Sequence, residues 1–316
     1  MTISFIEKLE NAKKISFFDK RNLSNLFLDF LAKCKNLEFL EISNVHSFDE
    51  KKAVSSFHAI KNLKFLYLKD CEAITDGIVS AIPQGCLTID LSIFDANKRD
   101  CLTNEGLIRL LNICSKLKEI HLYGRKHLSD AVFLQFTSSI QSIVFPGKNG
   151  GKLTQQSLFY LSEKCPYLQS LKMGSSPFKI DAFPTLKTLH VLDLSFCKIS
   201  SKLFIPKMEK LTSFYLKAVG VISDDLVTSL VKSCPNLKNL FLSFNDISDQ
   251  QVELLTKNLP FLSVLDLSRS QKITDRSLEI ISQAEQLKKI NILGSPLSIS
   301  CINALIKKRP DLEILA

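Results

Sequence analysis

Tryptophan is missing from this 316-residue chain, and glycine and proline stand at only ten each. With so few breakers there is no Pro/Gly/Ser linker or low-complexity tract to mark a second domain. No run of about 20 apolar residues occurs, which argues against a membrane-spanning helix. The N-terminus carries Glu7, Lys8, Glu10, Lys13 and Lys14 where a secretory signal needs an apolar stretch, so a soluble chain in a reducing compartment is expected, cytoplasmic or translocated into a host cytosol by a dedicated machine. No Cys-x-x-Cys pair is present, which argues against zinc, and no Cys-x-Asp triplet of the kind used by cysteine-based ubiquitin ligases. The five histidines are scattered, and no Cys/His pair can be argued from spacing. No enzymatic activity, cofactor or metal is expected.

What the chain has in abundance is one cadence. Leu237, Leu240, Leu242, Asn245, Ile247 and Ser248 return as Leu262, Leu265, Leu267, Ser270, Ile273 and Thr274. Taking the first apolar residue of each Leu-x-x-Leu-x-Leu unit, markers fall at Ala12, Leu37, Leu63, Cys86, Leu117, Ile140, Leu168, Leu189, Leu211, Leu237, Leu262, Leu287 and Leu312. Spacings of 26, 25, 25 and 25 residues separate the last five. A unit that short cannot bury its own apolar face and must stack on its neighbours. The expectation is an α/β leucine-rich repeat solenoid, a right-handed horseshoe of about 12 repeats with a parallel sheet on the concave face and helices on the convex face. It forms one domain over residues 1–316, with a capping repeat at 1–36 and a C-terminal repeat and cap at 287–316.

Within a unit, alternation places residues such as Leu240 and Leu242 in the core and their neighbours on the open sheet face. Asn245 is expected to turn the chain, its side chain satisfying backbone groups in adjacent loops as is typical of leucine-rich repeats; Cys71, Ser176, Cys197, Ser270 and Ser295 hold the same place. Ile74-Thr75-Asp76, Leu128-Ser129-Asp130, Ile222-Ser223-Asp224, Ile247-Ser248-Asp249 and Ile273-Thr274-Asp275 read as helix N-caps, with the acid at the positive end of the dipole. Cys34, Cys114, Cys165 and Cys234 lie three residues before a marker, so most of the nine cysteines are expected as stacked, unpaired thiols bonding backbone carbonyls.

The stretch Cys234-Pro235-Asn236-Leu237-Lys238-Asn239-Leu240, continued through Asp249, resembles the cysteine-containing class of leucine-rich repeats, best known from the substrate-binding half of F-box proteins. Cys165-Pro166-Tyr167-Leu168 opens another copy. The resemblance implies a substrate-recognition subunit for ubiquitin ligation, with the ligase supplied in trans because residues 1–33 read as a starter repeat with strand Ile15-Ser16-Phe17. A free-standing array rich in Lys, Asn, Phe and Ile also looks like the translocated effectors of intracellular bacteria such as Legionella, which implies a host protein as partner. Ile314 and Leu315 suit either an export signal or a thirteenth strand. Arg125 follows the strand of Ile120 and Leu122, where a Ran GTPase-activating protein of similar fold presents loop residues; a GTPase regulator using Arg125 is one alternative, solvated charge beside Lys126 and His127 the other. Gly147-Lys148-Asn149-Gly150-Gly151-Lys152 resembles a phosphate loop but is one residue short and followed by Leu153, so a lengthened turn is the better reading.

The sheet face remains. Its outward positions include Lys14, Ser16 and Phe18; Phe39, Glu41 and Ser43; Phe65, Tyr67 and Lys69; Thr88, Asp90 and Ser92; Glu119, His121 and Tyr123; and, further on, Ser195, Ser243 and Ser268. Aromatic residues there are not needed for the core. Phe39, Glu41, Phe65, Tyr67, Lys69, Glu119, His121 and Tyr123, with Tyr215 and Phe241 as a second pair, are therefore the candidate partner-binding residues. The expected partner is a protein met by a monomer. The net charge of +9 lies mostly in turns and helices, which argues against nucleic acid. Residues 45–60 and 93–102 read as insertions that lengthen their turns.

Overall fold

The computed structural model describes residues 11–18, 22–148 and 150–316; Glu7, Lys8, Glu10 and the Asn149 of the glycine-rich loop lie outside them. The chain divides into two compact units, Met1–Tyr167 and Leu168–Ala316. Unit 1 carries strands β1 (Lys14–Phe18), β2 (Phe39–Ser43), β3 (Phe65–Lys69), β4 (Thr88–Asp90), β5 (Glu119–His121) and β6 (Ser142–Val144). Each pairs in parallel with the next. Unit 2 repeats the arrangement in β7 (Ser170–Lys172), β8 (Val191–Asp193), β9 (Ser213–Tyr215), β11 (Asn239–Phe241), β13 (Val264–Asp266), β14 (Lys289–Asn291) and β15 (Glu313–Leu315). Two short strands, β10 (Gly220–Val221) and β12 (Asn245–Asp246), pair beside them.

The leucine frame is the register of these sheets. Every principal strand from β1 to β14 begins two residues after its marker, and the markers Leu37 through Leu287 are all buried. At the end the frame slips: Glu313, one residue after Leu312, pairs with Lys289. Ile314 and Leu315 therefore sit in a thirteenth strand. Each core leucine removed from water contributes about 1.5–3 kcal/mol, and stacking repeats it along the array.

Between strands unit 1 places α1 (Asn25–Leu31), α2 (Glu50–Ala59), α3 (Asp76–Ser80), α4 (Asn104–Ile113), a 3-10 turn (Asp130–Gln135) and α5 (Gln156–Lys164). Unit 2 places α6 (Asp224–Ser233), α7 (Asp249–Asn258), α8 (Asp275–Ser282) and α9 (Ile299–Lys308). Thr75, Ser223, Ser248 and Thr274 accept amide hydrogen bonds as N-caps, as expected. Ser129 does not: its segment is 3-10, its side chain makes no cap bond, and its hydroxyl accepts instead from Asn104. The helical side is also incomplete. Nothing helical lies between β7 and β8 or between β8 and β9, where the repeats are 21 and 22 residues long and Pro177, Pro184 and Pro206 interrupt any helix. The stretch 45–60 is not merely a lengthened turn, since α2 fills most of it.

Acids after the caps have a use that the dipole argument missed. Asp76 accepts from the amide and hydroxyl of Thr103, Asp130 from those of Thr154, and Asp249 from those of Thr274, each in the next repeat. Charge-assisted bonds of this kind tie one helix start to the next.

Seven of the nine cysteines are buried and all nine are free thiols. Cys34, Cys71, Cys86, Cys114 and Cys197 donate to backbone carbonyls at 3.4–3.5 Å. Burial pushes the Cys114, Cys165 and Cys234 thiols up to about 12, so they stay protonated. Asn245 does what its position requires: its Oδ1 accepts from the amides of Val219 and Gly220, and its Nδ2 donates to the carbonyls of Leu216 and Leu242. Among the described residues no helix is long and apolar enough to cross a membrane.

Candidate partner-binding face

Parallel register arranges the open side of unit 1 in rows. One row reads Lys14, Phe39, Phe65, Thr88, Glu119, Ser142, and the next Ser16, Glu41, Tyr67, Asp90, His121, Val144. In the first, the Phe39 and Phe65 rings lie 6.5 Å apart; Tyr67 stands 5.2 Å from Phe39, on the other row. Lys14 lies 4.3 Å above Phe39 and Lys69 4.9 Å above Tyr67, so two cations already sit on the aromatic faces. Glu41 joins this cluster by accepting from Ser16 and pairing with Lys69 at 3.3 Å. Burial and the carboxylate of Glu119 raise the Tyr67 phenol above its ordinary range. Phe39, Glu41, Phe65, Tyr67 and Lys69 thus form one contiguous cluster.

The other half of the expected set gathers around His121. Its Nδ1 lies 3.2 Å from Asp90 and its Nε2 2.9 Å from Glu119. Burial opposes the imidazolium, but the hydrogen bonds it donates to both carboxylates and their charge outweigh it, and the group is raised to about 9. His121 is therefore a cation at neutral pH. Tyr123 stacks on Phe94 at 5.5 Å, and Phe94 is 61% exposed. Phe94 was not singled out by sequence because it stands in the 93–102 insertion, outside the repeat pattern. In unit 2, the second expected pair is a close stack, with the Tyr215 and Phe241 rings 4.4 Å apart and nearly parallel.

Not every outward position is open. Thr88, Asp90 and Ser92 are buried, as are Ser43, Ser195, Ser243 and Ser268. Short side chains between larger cross-strand neighbours are covered: Thr88 lies in register between Phe65 and Glu119, Asp90 between Tyr67 and His121, Ser43 between Phe18 and Lys69. Several face acids also end their own strands. Asp90, Asp193 and Asp266 each accept from the amide two residues on, at 2.9, 2.8 and 2.9 Å. These carboxylates are committed to the fold.

Arg125 is neither a solvated charge nor an arginine finger. It is fully buried, donating to the Leu91 carbonyl at 2.6 Å and to Asp100 at 2.7 Å, with Asp100 buried as well. A guanidinium held this way cannot reach a nucleotide, which removes the GTPase reading. Asp100 also accepts from the Lys126 amide, and Lys98 donates to the Asp70 carbonyl and to Asn44. Far from a slack turn, the 93–102 insertion is thus pinned by buried charge. The glycine-rich loop is structural too: a Cβ on Gly151 would stand 2.4 Å from the Lys126 carbonyl, and the Lys152 amide bonds Leu128. Among the described residues no cluster of His, Cys, Asp or Glu is arranged to hold a metal.

Comparison with known proteins agrees with the repeat architecture. A leucine-rich repeat family model matches residues 185–202. Tubulin-folding cofactor E of Arabidopsis thaliana is 36% identical over 122 residues, 37% of this chain and 22% of that protein. Among solved structures, the Toll–Spätzle complex of Drosophila, at 15% identity, aligns over 93% of this chain and 41% of its own with a TM-score of 0.55. An internalin from Listeria monocytogenes (15% identity, 98% and 88% covered, TM-score 0.48) and a leucine-rich repeat protein from Leptospira interrogans (16%, 99% and 92%, 0.49) are also similar. The chain thus spans 22% of the length of the curated relative it matches and 41% of the Toll–Spätzle chain. The parallel strands and the leucine frame, with the likeness to the Toll–Spätzle chain, give this chain a leucine-rich repeat fold.

Proposed function

We propose that the chain is a non-enzymatic recognition scaffold that binds a protein across its open sheet face. Phe39, Glu41, Phe65, Tyr67 and Lys69 form the centre of the site, Glu119, His121 and Tyr123 extend it, and Tyr215 and Phe241 form a second contact patch. The observation that carries this reading is the aromatic cluster of unit 1: the Phe39 ring lies 6.5 Å from that of Phe65 and 5.2 Å from that of Tyr67, on a face the core does not need. Aromatic anchors ringed by charge are the groups that dominate interface energy. Much of the surrounding polarity is already ordered by internal bonds, so binding immobilises few side chains. The solved Toll–Spätzle complex, with the same fold, is a protein–protein assembly and lends general support.

The resemblance to translocated effectors makes a host protein the partner class to test first. Affinity capture from host-cell lysate with wild type and with a Phe39→Ala, Phe65→Ala, Tyr67→Ala variant, both shown folded by circular dichroism, is the test. A protein retained by the wild type and lost by the folded variant supports the site; equal retention overturns it. Cullin-scaffold components among the retained proteins would favour the ubiquitin-ligation role instead.

A further inference from the structure

Each principal strand of unit 2 from β7 to β14 is closed, three residues past its end, by a residue of positive φ: Ser175, Phe196, Ala218, Phe244, Arg269 and Gly294. The ladder imposes this, since the amides of Ser175, Phe196, Ala218, Phe244 and Arg269 reach carbonyls of the following repeat at 2.7–2.9 Å. Glycine, asparagine or aspartate enters that conformation with little strain, whereas a bulky side chain costs about 1 kcal/mol or more. Phe244 has φ 59° and is 45% exposed; Phe196 has φ 61° and is 55% exposed. Neither the backbone nor the core gives a reason for phenylalanine at these places.

Charge surrounds Phe244. Since β11 pairs with β9 on one side and β13 on the other, the repeats flanking it supply Lys217 and Arg269. The Lys217 ammonium lies 5.3 Å and the Arg269 guanidinium 5.0 Å from the ring centroid. Among the described residues neither cation has a carboxylate partner, and the nearby Asp246 is taken by Lys272 at 3.1 Å. Gly294 leaves room for the Arg269 stem, whose Cγ lies 3.2 Å from where a Cβ would stand. A depression bounded by Phe244, Asn245, Asp246, Arg269, Gln271 and Gly294 opens beside the ring.

We infer that Lys217, Phe244 and Arg269 form a docking site for an extended acidic segment of a partner protein. Two uncompensated cations flanking an exposed ring complement carboxylates that bracket an apolar side chain. Two strand spacings, about 10 Å, separate the repeats of Lys217 and Arg269, the reach of about three extended residues. The acidic residues of the segment therefore stand two or three apart. The residues of the site stand in the turns that follow β9, β11 and β13, and the inference does not rest on the aromatic cluster of unit 1.

Fluorescence anisotropy with labelled octaglutamate, octaserine and octathymidylate tests it on the full chain. Octaglutamate is expected to bind saturably and octaserine not. A Lys217→Gln, Arg269→Gln variant should weaken octaglutamate binding about tenfold or more, and Phe244→Asn about threefold through loss of the ring. Lys307→Gln, Lys308→Gln, on α9, should leave it unchanged. Octaglutamate binding no better than octaserine, or equal losses in the α9 variant, overturns the proposal. Tighter binding of octathymidylate that falls in the same rim variants overturns it as well, in favour of nucleic acid.

Discussion

The strand-closing turn recurs in both units of this molecule and is put to opposite uses. In unit 1 the left-handed positions include Asn44 and Asp70, and both side chains are used internally: Asn44 accepts from Lys98, and Asp70 accepts from the amides of Phe94 and Asp95. In unit 2 the same positions hold Phe196, Phe244 and Arg269, which face solvent. One backbone geometry therefore anchors an inserted loop in the first unit and displays side chains in the second. The difference lies in the residue, since the ladder bonds behind the turn are the same: Asn44 and Asp70 donate to Lys69 and Ser92 as Phe244 does to Ser268.

Breaking the anchored side should have the largest effect. Arg125→Met leaves Asp100 buried with its carboxylate uncompensated, for a loss of about 3–5 kcal/mol. Urea unfolding should shift accordingly, and amide exchange should show the 93–102 segment deprotected. An Asp100→Leu, Arg125→Met double variant should recover much of the loss, because it removes both charges. If the single variant costs under about 1 kcal/mol, the insertion is not held by this pair.

A second contrast concerns the turn beside the ladder. Asn245 makes four backbone bonds in unit 2, whereas Cys71, at the equivalent place in unit 1, donates weakly to two carbonyls. Asn245→Ala should cost about 3 kcal/mol because it strands buried amides and carbonyls, and Cys71→Ala about 1 kcal/mol. Equal costs in denaturant titrations would mean that the thiol and the amide are interchangeable in this turn.

The open face of unit 1 makes a pH-dependent contribution of its own. His121 is raised from 6.5 to about 9 in the folded chain, so folding tightens its proton. The stabilisation is complete below about pH 6.5 and is lost as pH rises through about 9. The melting temperature should fall across that window, and His121→Gln should remove that part of the fall. An imidazole that titrates near 6.5 by NMR would show that Asp90 and Glu119 do not hold it.

How far these features were legible follows from their range. Buried leucines recur with the repeat, so the register could be read from the sequence up to Leu287, and failed at Leu312 where the last turn is one residue shorter. The aromatic row was legible because alternation fixes which residues share a face. Arg125 was not, because its partner stands 25 residues earlier in an insertion outside the period, while its sequence neighbours Lys126 and His127 suggested solvent. The buried serines and Asp90 were missed because exposure on a sheet depends on the size of cross-strand neighbours, which parity does not encode. Phe244 was invisible for another reason: nothing local in a Ser-Phe-Asn sequence announces a positive φ that the next repeat's carbonyl imposes.

The smallest expected effect is the sharpest test of the comparison. Phe244→Asn gives unit 2 the residue type that unit 1 carries at Asn44. Asparagine relieves the left-handed strain, worth about 1 kcal/mol, and gives up partial burial of a ring that is already 45% exposed. The two terms nearly offset, so the melting temperature should be unchanged or slightly higher. The reverse exchange, Asn44→Phe, adds the strain and takes an acceptor from Lys98, and it should lower stability by about 1–2 kcal/mol. If Phe244→Asn destabilises as much as Asn44→Phe does, the ring is a packing element and the two units use their strand ends alike. If it does not, the phenylalanine is held at a cost in backbone energy that only an external contact repays.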